Sequence, residues 1–226
     1  MKKTFSIIGG LFLLLYIFIA AGVVTGRQWV ESLDMYFIRT IQSTVTEPGA
    51  SIISVLTDIG GTEAIVVLTL AVTITLFIKK MYTAGMWFGL TILISPGIFV
   101  HVMKPIIGRD RPEFMRLAAE STHSFPSGHS TASTVFYGIL GLILIMSVQK
   151  IWKKVIIAVM SFTIILFVMS SRIYLGVHFP TDVLAGFSFG AATVLLSLSL
   201  YHLVRPKFYQ WLKSKDIHDK SPSLFK

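Results

Sequence analysis

No cysteine occurs among the 226 residues, so the chain can form no disulfide, no thiolate metal site and no cysteine nucleophile. Charge is scarce as well: Asp, Glu, Lys and Arg make up 14% of the residues, against about 25% in a soluble domain. Acids are scarcer than bases, 11 against 20. The basic residues are split among short loops, which excludes the continuous basic face of a nucleic-acid binder. No long-period repeat or low-complexity linker interrupts the chain, and residues 1–226 read as one membrane-embedded domain.

What the sequence has instead is apolar length. Hydrophobic residues make up 54% of the chain and the mean hydropathy is +0.75. Six apolar segments stand out: Phe5–Thr25, Thr62–Ile78, Ala84–Met103, Ser130–Val148, Val155–Ser170 and Val183–Val204. Each is close to the roughly 17–25 residues that cross a bilayer as a helix. The expected fold is therefore an all-α integral membrane protein, a six-transmembrane-helix bundle. Lys2 and Lys3 ahead of the first run also suit a secretory signal. The run exceeds the roughly 7–15 residues of a signal core, which favours an uncleaved anchor.

Between the first two spans, Val30, Leu33, Phe37, Ile41 and Val45 recur at helical spacing. They predict an amphipathic helix in the membrane interface. Pro48-Gly49 breaks it, and Ile52, Leu56 and Ile59 predict a second short helix ending at Gly60-Gly61. These helices read either as a cover over the bundle or as the wall of a groove that admits lipid. Pro96-Gly97 predicts a kink in the third span, and Gly186-x-x-x-Gly190 predicts close helix packing in the sixth. The tail from about Arg205 is basic and is expected to fray after an interfacial turn.

Loop charge sets an orientation. With both termini in the cytoplasm, Lys2, Lys3, Lys79, Lys80, Lys150, Lys153, Lys154, Arg205, Lys207, Lys213, Lys215, Lys220 and Lys226 lie inside, 13 of the 20 Lys and Arg residues. The positive-inside rule favours that arrangement and leaves the remaining polar clusters on the extracytoplasmic face.

Those clusters are Lys104 to Pro112, Pro126 to His129, and Ser171 to Asp182. Ionisable groups at the edge of a bilayer are costly and default to a functional reading. Lys104, Arg111 and Arg172 fall at span ends, where they suit a phosphate: arginine forks pair with two oxygens and lysine supplies a point charge. They also suit plain interfacial anchors. Ser127-Gly128-His129 precedes the fourth span, where free N–H groups, a hydroxyl and a close backbone can receive an anion. His129 there could protonate a departing alkoxide, and the same tripeptide could merely cap the helix. His178 and Asp182 are four apart around Pro180, a residue suited to a first helical turn. The carboxylate can fix the imidazole tautomer and leave the other nitrogen as a nucleophile, or the two can form a simple capping pair. Arg109 and Arg116 read as surface charges, with a second phosphate as the other reading. A metal is disfavoured, because three nearby cations repel a divalent ion and only Asp182 is a plausible ligand.

Lys104-x6-Arg111-Pro112, Pro126-Ser127-Gly128-His129 and Ser171-Arg172-x5-His178-x3-Asp182 together resemble the three-part signature of the type 2 phosphatidic acid phosphatase family, with no departure at any signature position. The resemblance implies a metal- and cofactor-independent phosphatase working through a phosphohistidine. It makes His178 the nucleophile, Asp182 its orienting carboxylate and His129 the general acid and then base. It makes Lys104, Arg111, Arg172, Ser127 and the Gly128 backbone the phosphate holders. It implies a membrane lipid as substrate: phosphatidylglycerol phosphate first, undecaprenyl pyrophosphate or a phosphotransfer between lipids as alternatives. No obligate protein partner is expected.

Overall fold

The computed structural model describes residues 2–113, 116–118 and 120–222. Lys226, counted above among the cytoplasmic charges, lies outside them. The described residues form helices α1 (Lys2–Val24), α2 (Gln28–Gln42), α3 (Glu47–Leu56), α4 (Thr62–Ile78), α5 (Tyr82–Ile92), α6 (Val100–Ile107), α7 (Gly128–Ser147), α8 (Ile151–Tyr174) and α9 (Pro180–Ser214), with no strand among them. Among the described residues, six helical stretches are long and apolar enough to cross a membrane. The third of them is α5 and α6 joined through a π-helical segment, Leu93–Phe99, that holds Pro96. Proline removes one N–H from the ladder, and the wider turn absorbs that loss at the expected kink.

Large apolar side chains cover the outside of the bundle, among them Leu11, Leu14, Val67, Ile74, Val159 and Phe162. Lipid is as apolar as leucine, so these faces need no protein cover, and the helices associate through close packing instead. The central helix is α7, which packs against both α8 and α9. Phe88, Val135, Phe136, Ile139, Val194 and Leu198 form a buried core around it. Towards its N-terminus α7 carries only small residues inward, Ser130 to Thr134, all buried. Thr131 and Thr134 donate their hydroxyls to the carbonyls of Ser127 and Ser130, which satisfies them inside an apolar bundle. Gly186 and Gly190 of α9 lie against this stretch. A Cβ at Gly186 would stand 2.7 Å from the Ser127 carbonyl, and one at Gly190 would stand 2.7 Å from Thr134 Cβ. The glycine spacing thus brings the start of α9 onto the start of α7.

Two interfacial expectations are refined. The helix expected around Val30–Val45 is α2, but its buried line is Val30, Asp34, Ile38 and Gln42, while Phe37 is exposed. A carboxylate and an amide occupy the inner face, because both have partners there. The second short helix is α3, followed by a single 3-10 turn, Thr57–Gly60. The tail differs more. Helix α9 continues to Ser214, and the chain then folds back onto the start of α5. Asp219 accepts from Thr83 and from Ser221, whose hydroxyl receives the Ala84 N–H at 3.0 Å. The Arg205 guanidinium donates to the Ser221 carbonyl at 2.7 Å. Polar partners on α5 and α9, which spacing along the chain does not reveal, hold the tail in place of fraying.

Candidate active site

Four helix ends converge on one end of the bundle: the last turns of α6 and α8 and the first turns of α7 and α9. The last turn of α6 carries Lys104, and Gly108 ends that helix in the left-handed region at φ 64°. Few side chains tolerate that backbone, so glycine suits the stop and frees the chain to run back over the bundle. Arg172 stands in the last turn of α8, where a cation complements the helix dipole. Ser127 is the N-cap of α7. Its hydroxyl accepts from the Ser130 hydroxyl at 2.9 Å, and its backbone N–H donates to the Asp182 carbonyl at 3.1 Å.

His178 lies in the turn between α8 and α9, 2% exposed. Its Nδ1 is 3.5 Å from Oδ2 of the fully buried Asp182. Its Nε2 is 3.3 Å from Arg111 Nη1. Asp182 Oδ2 also accepts the Phe179 N–H at 3.0 Å, so the capping role and the histidine-facing role coexist in one carboxylate. Burial, and then the charges of Arg111, Arg172 and Lys104, push the His178 pKa well below its ordinary value. The imidazole is therefore neutral near pH 7, with a lone pair available.

The cations are fixed by the segment that returns from α6 to α7. Arg111 donates from Nε to the Thr122 carbonyl and from Nη1 to the Val177 carbonyl, both at 2.7 Å. Lys104 donates to the Thr122 hydroxyl at 2.7 Å. A cavity of about 240 Å³ lies beside them, lined by Lys104, Glu120, Thr122, Gly128, His129 and His178 and by the apolar Ile65, Val66, Ile92 and Val100. The lining thus combines polar groups, one lysine among them, with apolar side chains. Ser127 does not line this space, whereas Gly128 and His129 do. A second pocket of about 500 Å³, lined by His101, Lys104, Arg111 and Arg116 among others, adjoins it.

Three acidic or basic groups in this region were not assigned to it from sequence. Glu120 bridges the arginines, with Oε1 2.5 Å from Arg172 and Oε2 3.4 Å from Arg111. It is a carboxylate seated where two guanidinium forks meet. Arg109 is neither a surface charge nor a contact to a second phosphate. Its Nη1 is 2.6 Å from Asp182 and its Nη2 is 2.6 Å from Asp34. Asp34 is buried on α2, where burial raises its pKa against the opposing pull of Arg109 and Thr181. Its sequence signal was a lone carboxylate on the Val30–Ile38 line, four residues from each. Arg116 donates to the Glu120 carbonyl within its own segment.

A helical bundle with apolar outer faces and a cation-rich pocket at one end defines a membrane-embedded protein with a polar site at the end of its spans. The PAP2 superfamily matches residues 84–206, more than half of the sequence, and the chain belongs to that family. It is 41% identical over 108 residues to phosphatidylglycerophosphatase B of Bacillus subtilis, covering 46% of this chain and 53% of the relative. Lipid A 1-phosphatase of Rhizobium johnstonii is 31% identical over 127 residues, covering 52% of this chain and 48% of the relative. These alignments span about half the length of each curated relative. A crystal structure of a transmembrane PAP2-type phosphatidylglycerolphosphate phosphatase from Bacillus subtilis superposes with a TM-score of 0.75 at 27% identity, over 87% of this chain and 96% of that one. The protein is a multi-pass membrane protein of this fold.

Proposed function

We propose that the protein is a metal-independent lipid phosphatase that hydrolyses phosphatidylglycerol phosphate through a phosphohistidine at His178. The observation that carries this reading is the buried His178, held between Asp182 at 3.5 Å and Arg111 at 3.3 Å, in a cavity shared with His129. In the first step His178 Nε2 attacks phosphorus and the bond to the lipid oxygen breaks, with His129 giving that oxygen a proton. In the second step His129 takes a proton from water, which attacks the phosphohistidine and releases inorganic phosphate and free His178. Lys104, Arg111, Arg172 and the Ser127–Gly128 start of α7 hold the phosphate oxygens, where charge develops in the transition state. The cationic donor set argues against a divalent metal in the same pocket.

The proposed orientation puts both termini in the cytoplasm of the cell membrane and the site at the extracytoplasmic face. The loop-charge asymmetry supports it, as does the position of all four site-bearing helix ends on one side. Phosphate release from purified phosphatidylglycerol phosphate, phosphatidic acid and undecaprenyl pyrophosphate, with EDTA present, tests the whole reading. Release from phosphatidylglycerol phosphate above the others is expected, together with its loss in His178→Ala. A preference for the pyrophosphate would move the substrate to a carrier lipid. Release only with a second lipid acceptor present would make the protein a phosphotransferase.

A further inference from the structure

Arg109 has no part in the phosphate chemistry above, yet both of its Nη groups are engaged. Nη1 donates to Asp182 Oδ1 at 2.6 Å and to the Thr181 hydroxyl at 2.7 Å. Nη2 donates to Asp34 Oδ2 at 2.6 Å, and the guanidinium lies 4.0 Å over the Phe179 ring. Asp34 closes the circuit: its Oδ1 accepts the Thr181 N–H at 2.8 Å and its Oδ2 the Thr181 hydroxyl at 2.9 Å. Two buried carboxylates, 2% and 0% exposed, thus share one cation.

The sharing has a mechanical and an electrostatic consequence. With Oδ1 of Asp182 gripped by Arg109, its carboxylate cannot turn about its own axis without breaking a charge-assisted hydrogen bond. Oδ2 is left facing the imidazole. If Arg109 paired with Asp182 alone, it would draw charge from the oxygens that must support His178. Asp34 takes part of that pull and also fixes the guanidinium to α2.

We propose that Asp34 and Arg109 are positioning residues for the His178–Asp182 pair, which makes the interfacial helix α2 part of the machinery that aims the nucleophile. The proposal rests on the assignment of His178 as nucleophile. It is tested on the full-length protein in lipid nanodiscs with the lipid phosphate that the panel above selects. Asp34→Asn, which preserves size, is expected to lower kcat about tenfold and leave KM within about twofold, since it misaligns the pair without touching substrate. The deciding measurement is the same substitution in an Asp182→Asn background. A residue acting through Asp182 costs nothing more there, less than about twofold, whereas a residue that merely stabilises the fold costs as much again. Equal losses in the two backgrounds would overturn the proposal, as would wild-type kcat in both Asp34→Asn and Arg109→Lys. Should Asp34→Asn fail to fold, the cycle with Arg109→Lys, which keeps the charge and loses the fork, reads the same coupling. Acid-quenched phosphoenzyme separates the two assignments. Label on His178 with uncoupled variants removes the clamp alone, and label elsewhere removes the nucleophile assignment and the clamp with it.

Discussion

His178 is made useful by its neighbours rather than by its own nature. Buried and faced by Arg111, Arg172 and Lys104, it resists protonation, and the unprotonated ring is the form that the proposed attack requires. The sign of the pH effect follows: as pH falls through about 6.5, where an ordinary histidine gains its proton, His178 stays neutral. Phosphoenzyme formation, followed by acid quench, is therefore expected to persist below that pH and to fail only at more acidic values. A half-loss at about 6.5 would mean that the ring is not shielded in this way. His129 calls for a different test, because its proposed work is done on the leaving group. General acid catalysis is worth about 10²–10⁴-fold, and an aryl phosphate whose leaving group needs no proton forgoes it. His129→Ala is expected to slow phosphorylation by a lipid phosphate by that factor and by an aryl phosphate far less. Equal slowing with both would remove His129 from the acid role.

The segment between α6 and α7 behaves as a separate element with its own chemistry. Through Thr122 it holds Lys104 and Arg111, and through Glu120 it places a carboxylate between Arg111 and Arg172. In the proposed function a phosphate competes with that carboxylate for the same two forks. Removing the charge with Glu120→Gln is therefore expected to tighten binding of inorganic phosphate by up to about fivefold, the scale of a partly exposed ion pair. The inhibition constant of phosphate against a lipid substrate measures it, and weaker binding would show that Glu120 instead holds the arginines in place. Glu120 could not be found from sequence, because an acid inside a cationic phosphate site contradicts the chemistry used to look for one. Asp34 and Arg109 were hidden for a related reason. They are 75 residues apart, and they meet only where α2 and the segment after α6 both come against the first turn of α9. What spacing could show, it did: the Pro96 distortion, the Gly186 and Gly190 contact, the interfacial helices and the His178–Asp182 turn depend on neighbours within a few positions. The folded-back tail depends on Thr83, 136 residues from Asp219, a separation that local spacing does not reach.

At the scale of the molecule, the division of labour between the two ends of the bundle decides which membrane leaflet supplies the substrate. One end gathers α2, α3, the site cations and most of the acids. The other carries Lys79, Lys80 and Lys150 in the short connections after α4 and α7, and Lys153 and Lys154 in the first turn of α8. A phosphate headgroup cannot cross the hydrocarbon unaided, so the side that bears the site fixes the pool of lipid within reach. The proposed orientation, which rests on the loop lysines, puts that side outside the cytoplasm. The absence of native cysteine makes a clean test possible, since any thiol signal comes from the residue introduced. Ser121→Cys and Gln149→Cys put one exposed thiol at each end. An impermeant maleimide applied to intact cells is expected to label the first and spare the second, with both labelled after the membrane is permeabilised. Labelling of Gln149→Cys alone in intact cells would invert the molecule. The site would then draw on the cytoplasmic leaflet, and a substrate confined to the outer leaflet, such as a spent carrier lipid, would be out of reach.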